Sequence, residues 1–255
     1  MEELKGKVAV ITGGASGIGK AIVTLFAKQG AEVHVLDLNL EQATTLAEEL
    51  NKLNLKVQAH ACDVTSQKEV ERIFQEIKHV DVLVNNAGIA HVGKLEDCQE
   101  SDFDKVCTVN IKGAYNVLYA AIPLMKSNEN GGAIVNMASI AAWVGIPDRF
   151  VYSLTKGAVA AMTLSIARDY IQENIRCNSI SPARVHTPFV DGFIAKNYPG
   201  KEKEMFDVLS KTQPIGRMAT PDEIAELALY LCSDRASFIS GNDYPIDGGF
   251  IKLNN

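Results

Sequence analysis

Three residues of this chain could together move a proton at an alcohol. Tyr152 and Lys156 stand four positions apart, so on a helix they project from one face with Cα atoms about 6 Å apart. A tyrosine titrates near pH 10 in isolation, and lowering that by about three units, to make a base near neutrality, requires roughly 4 kcal/mol. An ammonium about 4 Å away at an effective dielectric of about 20 supplies on the order of that amount, and an oxidised nicotinamide ring would add a second positive charge. Ser139, after an apolar run ending in Met137, could hold the reacting oxygen.

A second group of residues suits a dinucleotide. The turn Thr12-Gly13-Gly14-Ala15-Ser16-Gly17-Ile18-Gly19 lies between a β-rich run and a segment of helical period. Glycines there let a pyrophosphate approach the main chain, and the helix start offers amide donors and a partial positive charge. The spacing G-x-x-x-G-x-G is also compatible with a purely structural turn. Asp37, 18 residues beyond Gly19, shifts the reading towards a cofactor. A carboxylate at that strand end accepts from the ribose hydroxyls and repels a 2′-phosphate, and Leu38 and Asn39 offer no cation. NAD is therefore expected in preference to NADP.

The elements that must position these residues follow from periodicity. Strands are expected at 7–12, 32–36, 57–61, 81–84, 133–137, 175–180 and 243–246, and helices at 16–29, 40–53, 70–78, 101–125, 151–172 and 221–232. This alternation predicts a single α/β domain over 1–255, a doubly wound, Rossmann-type parallel sheet with helices on both faces. Pro245 puts the last strand at an edge. Thr220, Pro221, Asp222 and Glu223 read as a helix start. Residues 183–213, broken by Pro188, Gly192, Pro199 and Gly200, read as a partly helical segment covering the substrate.

Composition narrows the class. A chain of 255 residues that is 47% apolar can bury roughly 70–75% of its unfolded surface. Its 25 Lys and Arg against 31 Asp and Glu give a net charge of −6 with no basic run, which argues against nucleic acid. With no signal-like N-terminus and no apolar run of about 18 residues expected, the chain reads as cytoplasmic, with no membrane partner. The five cysteines lack C-x-x-C spacing and read as reduced, and no His, Asp and Glu grouping has the spacing of a metal site.

Taken jointly, the Thr12-to-Gly19 turn, Asn85-Asn86-Ala87-Gly88, Asn110, Ser139 and Tyr152-x-x-x-Lys156 resemble the short-chain dehydrogenase/reductase family over nearly the whole chain. That resemblance implies that Tyr152 is the general acid–base and that Ser139 orients the substrate oxygen. Lys156 would bind the nicotinamide ribose, and Asn110 would hold a water in a proton relay. It further implies that Asp63 and Val64 contact the adenine, that Asn86, Ala87 and Gly88 border the cofactor, and that Val185 and Thr187 reach the nicotinamide amide. The two long helices would pack across two-fold axes into a homotetramer. Where relatives carry Pro-Gly, this chain has Pro182-Ala183-Arg184, so side-chain roles in that loop do not transfer.

Arg149, three residues before Tyr152, could hold a substrate carboxylate through its planar fork. An arginine at this place resembles the branch of cytosolic 3-hydroxybutyrate dehydrogenase and 2-keto-3-deoxy-L-fuconate dehydrogenase. Arg184 and Gln213 are further substrate candidates, as is Arg217. Trp143 is either a pocket wall or plain packing, and His91 and His186 read as loop or core histidines. The expected activity is therefore NAD-dependent oxidation of a secondary alcohol on a small or sugar-derived hydroxy acid. Alternatives are a dehydrogenase of a neutral sugar of the L-fucose type, a 3-oxoacyl reductase, a sugar-nucleotide epimerase or dehydratase and, more remotely, a non-catalytic NAD sensor.

Overall fold

Strand β1 (Val8–Thr12) sends Ala9 and Ile11 to one face and Val10 to the other, and all three are fully buried. Such two-sided burial is the mark of a central parallel strand. A computed structural model describes residues 2–253, apart from the Asn197 side chain. Residues 1, 254 and 255 of the expected 1–255 domain lie outside the described residues.

Helix α1 (Gly17–Lys28) follows, then β2 (Glu32–Asp37), α2 (Leu40–Asn51), β3 (Lys56–Ala61), α3 (Gln67–Ile77) and β4 (Val82–Asn85). Next come α4 (Glu100–Cys107), α5 (Gly113–Lys126), β5 (Gly132–Met137), α6 (Phe150–Tyr170) and β6 (Ile175–Pro182). Helices α7 (Pro188–Asn197), α8 (Glu202–Ser210) and α9 (Pro221–Cys232), β7 (Asp243–Ile246) and a short α10 (Phe250–Leu253) follow among the described residues. Among the described residues seven strands form one parallel sheet in the order β3-β2-β1-β4-β5-β6-β7. As its proline predicts, β7 is an edge. The order reverses between β1 and β4, which is where ligands bind in open α/β sheets.

Helices α1, α2 and α9 cover one face of the sheet through Ile22, Phe26, Leu46 and Ala228. Helices α3, α5 and α6 cover the other through Val70, Ile73, Val117 and Ala167. The region Phe150–Glu173, built on α6, is long and apolar enough to cross a membrane by length and composition, which corrects the expectation that no such run exists. Here it lies against β6 and carries Tyr152 and Lys156.

The helix expected at 101–125 is not uniform. Between α4 and α5 it widens into a π-helical turn, Thr108–Lys112, with Asn110 inside it. The segment expected to cover the substrate contains α7 and α8, which form a small core of their own around Ile194, Leu209 and Met218. Thr187 and Pro188 open α7 at the N-cap and N1 positions, and Thr220 and Glu223 close a capping box on α9.

Candidate active site

Two residues past β5, Ser139 caps a single 3₁₀ turn, Ile140–Ala142, and its Oγ accepts from the Ala141 N–H at 3.2 Å. Tyr152 lies in the first turn of α6 and shares a side-chain hydrogen bond with Ser139. Lys156, one turn further, is buried, and its ammonium donates to the Met137 carbonyl at 2.7 Å, which ties α6 to the end of β5. Its Nζ lies 5.8 Å from the centre of the Tyr152 ring. A Cβ on Gly88 would stand 3.2 Å from Asn110 Oδ1 and 3.6 Å from Lys156 Nζ. The loop after β4 thus comes close to the catalytic candidates, and a side chain at Gly88 would press on Asn110.

The electrostatics differ from the expectation. Burial raises the Tyr152 phenol, opposed by the Ser139 hydrogen bond and the Arg149 charge. Burial also brings Lys156 down to about 8. In the chain without cofactor the phenol therefore lies above its ordinary value, because its own burial disfavours the anion, and burial disfavours the lysine's charge in the same way.

Asn110 clamps the loop after β4. Its Nδ2 donates to the Ile89 carbonyl at 2.9 Å and to Thr155 Oγ1 at 3.0 Å, while its Oδ1 accepts from the Ile89 N–H at 2.8 Å. Thr155 Oγ1 in turn donates to the Tyr152 carbonyl at 2.8 Å. The π turn is the local deviation that presents Asn110 to this loop, as such turns commonly do at functional sites. Thr155 and Ile89 were not singled out from the sequence, although Thr155 stands inside the Tyr-x-x-x-Lys spacing.

The dinucleotide candidates converge at the carboxyl ends of β1, β2 and β4. Thr12 Oγ1 accepts from the Asn86 and Ala87 N–H groups, both at 3.0 Å. Asn86 Nδ2 donates to the Thr12 and Gly13 carbonyls at 3.0 and 3.1 Å. A Cβ on Gly19 would run into the Gly13 carbonyl, and Gly17 holds a φ of +52° at the start of α1. Ser16 is the N-cap of α1, so the Gly17, Ile18 and Gly19 amides have no partner within the helix. The Asp37 carboxylate accepts from the Ala15 and Asn39 N–H groups, both at 3.0 Å, which fixes it beside the glycine turn. Asp63 Oδ1 accepts from the Thr65 N–H and hydroxyl at 2.9 and 2.7 Å. Val64 is buried, and its Cγ2 would lie 2.8 Å from a Cβ on Gly113. Thr187 Cγ2 would lie 3.4 Å from a Cβ on Gly17. Val185 pairs with Ala219 through its neighbours, Ala219 N–H to Arg184 carbonyl and His186 N–H to Ala219 carbonyl. That arrangement leaves Val185's own amide and carbonyl outside the bridge. An open amide row at α1 and a fixed ribose-side carboxylate fit a dinucleotide.

The substrate candidates divide. Arg149 and Arg184 are half-buried, and Arg149's charge acts on both Tyr152 and Arg184. Arg149 donates to the Asp148 carbonyl at 2.9 Å and stacks 6.0 Å from the Phe193 ring centre, while Arg184 donates to Thr212 at 3.1 Å. Among the described residues neither forms an ion pair within 4 Å. Gln213 does not belong with them. It is buried, and its Nε2 faces the Leu209, Ser210 and Arg217 carbonyls at 3.4, 3.3 and 3.3 Å, so it closes the α8 turn rather than facing a ligand. Arg217 is likewise held, in a two-pronged pair with Glu223 at 2.7 Å. His186 pairs with Asp191 at 2.9 Å. His91 keeps a buried Nδ1 without a partner among the described residues.

The parallel sheet, the glycine turn and the Ser139, Tyr152, Lys156 and Asn110 cluster define a nicotinamide-dependent oxidoreductase fold, and the chain belongs to the short-chain dehydrogenase/reductase family. A family model described as enoyl-(acyl carrier protein) reductase matches residues 13–251. Dehydrogenase/reductase SDR family member 6 of Aquarana catesbeiana is 39% identical over 251 residues, covering 98% of this chain and 99% of that protein. The 3-oxoacyl-(acyl-carrier-protein) reductase of Thermotoga maritima is 38% identical over 252 residues, covering 97% and 99%. The L-sorbose reductase of Gluconobacter frateurii, solved with NADPH and L-sorbose, superposes with a TM-score of 0.93 at 31% identity, covering 99% of each chain.

Proposed function

We propose that this protein is an NAD-dependent dehydrogenase that interconverts a secondary alcohol and a ketone on a small or sugar-derived hydroxy acid, of the 2-keto-3-deoxy-L-fuconate or 3-hydroxybutyrate kind. One observation carries the acid reading. Arg149 and Arg184 are both half-buried, the Arg149 charge acts on Tyr152 and on Arg184, and neither guanidinium forms an ion pair within 4 Å among the described residues. Two like charges that feel each other in a half-buried place are relieved when an anion binds between them. The 39% identity to a dehydrogenase/reductase family member agrees with the activity class.

In the oxidative direction the Tyr152 phenolate takes the hydroxyl proton while Ser139 Oγ holds the same oxygen. When bound, the nicotinamide supplies the hydride acceptor and, in its oxidised form, a positive charge. Lys156, anchored by the Met137 carbonyl, would hold the nicotinamide ribose. Asn110, braced by Ile89 and Thr155, stands beside it for the proton's exit. Arg149 and Arg184 fix the carboxylate so that the carbinol carbon lies beside the phenol.

Asp37 and the residues after it, the exposed Leu38 and Asn39, neither of them a cation, support NAD; the NADPH in the sorbose reductase structure marks NADP as the alternative. A cytoplasmic homotetramer built on α5 and α6 is part of the same proposal, supported by exposed Tyr115, Tyr119, Leu154 and Leu164 on those helices. The test is a panel of hydroxy acids, aldonates and free sugars with NAD and NADP, read by reduced-cofactor absorbance. Turnover confined to neutral sugars or acyl thioesters would overturn the acid reading.

A further inference from the structure

Trp143 is the only tryptophan in the chain, and neither the catalytic set nor the cofactor cleft accounts for it. It closes the 3₁₀ turn that Ser139 opens, with its N–H on the Ile140 carbonyl at 2.9 Å. A tryptophan that served only as packing would be largely covered, yet this one is 51% exposed. It is nonetheless fixed in direction. Its indole Nε1–H donates to Ser181 Oγ at 3.1 Å. The fully buried Ser181 donates in turn to Asp243 Oδ1 at 2.8 Å, and Ser179 donates to the same oxygen at 2.6 Å.

A carboxylate on the edge strand β7 thus orients two hydroxyls, and one of them orients the indole. The residue stands four positions after Ser139, and its indole N–H reaches Ser181 at the carboxyl end of β6, the strand that leads on to Arg184. An exposed aromatic face held by a polar end is built to meet something apolar.

We propose that Trp143 is a specificity-determining residue whose indole face forms a wall of the substrate site, and that Ser181 and Asp243 are its positioning residues. The face accepts the alkyl or ring C–H side of a substrate, and it selects alcohols that carry such a side beyond the carbinol carbon. The proposal rests on the dehydrogenase reading but not on the acid one.

The test compares wild type with Trp143→Leu, Trp143→Phe and Ser181→Ala on propan-2-ol, 3-hydroxybutyrate, a six-carbon aldonate and a free hexose, using whichever of these the wild type oxidises. For the larger of these, Trp143→Leu should raise KM about tenfold with kcat changed less than about threefold, the size expected for a lost aromatic contact. Trp143→Phe should restore most of the loss, and Ser181→Ala should move KM the same way by less. The lone tryptophan gives a readout independent of turnover. In Tyr152→Phe with NAD bound, the probe should quench its emission along a saturating curve, and Ser181→Ala should weaken that quench.

Unchanged KM in Trp143→Leu, or an emission indifferent to the probe, overturns the proposal. A wild type that oxidises only neutral probes sinks the acid reading and leaves this test standing. A wild type that oxidises none sinks the dehydrogenase reading and the proposal together.

Discussion

Replacing Lys156 with methionine should make the protein without cofactor more stable at neutral pH, and the gain should fade as the pH rises. The lysine is 6% exposed, and burial takes it from 10.5 down to about 8. Below pH 8 the folded chain carries the full penalty of a buried ammonium, about 2.5 pH units or roughly 3 kcal/mol. The loss of its hydrogen bond to the Met137 carbonyl offsets about 1 kcal/mol of this at every pH. The sign follows from proton counting. Between about pH 8 and 10.5 the unfolded chain binds more protons than the folded one, so wild-type stability rises with pH through that window. Lys156→Met should therefore exceed wild type by about 2 kcal/mol at pH 7 and lose that lead at about 1.4 kcal/mol per pH unit above 8. Urea unfolding of both proteins at pH 7, 8.5 and 9.5 measures the difference directly. A difference constant across these values would refute the claim that the ammonium is held in a desolvated site.

Three further outcomes are expected. Tyr152→Phe should retain cofactor affinity by fluorescence titration while turnover falls about 10²- to 10⁴-fold; near-normal turnover would remove Tyr152 as the acid–base. Arg149→Met should raise KM for hydroxy acids about 10- to 100-fold, as loss of a charge-assisted contact predicts, and leave neutral alcohols nearly unaffected; equal effects on both would exclude a carboxylate anchor. Asp37→Ala should narrow the ratio of NAD to NADP efficiency, read as kcat/KM for each cofactor, and an unchanged ratio would count against the ribose contact.

What the sequence made legible was periodic or fixed in spacing. Val8 to Thr12, the glycine turn and the Tyr152 to Lys156 interval emerge where expected, because two-sided burial and helical phase are written in side-chain type. The π turn at Thr108–Lys112 leaves no such mark, since a widened turn uses the same residues as an α turn. The capture of Lys156 by the Met137 carbonyl was equally hidden, because a backbone acceptor has no letter of its own. Gln213 misled for a related reason: an amide suits a ligand and a row of carbonyls equally well, and here the carbonyls of α8 take it. In residues 183–213 the prolines and glycines read as interruptions. Thr187 and Pro188 in fact begin a helix, and Gly192 sits inside it with open space where a Cβ would stand.

The wide turn around Asn110 also bears on how such a chain can change. It contains one residue more than regular winding would need, so a single deletion there lets the coil close while the flanking helical faces keep their bearings. The outer surfaces that carry Tyr115 and Tyr119 would stay aligned, and the hold of one amide on Ile89 and Thr155 would be withdrawn. Catalytic fittings and exterior shape are thereby uncoupled within one continuous rod, and either can drift without dragging the other along.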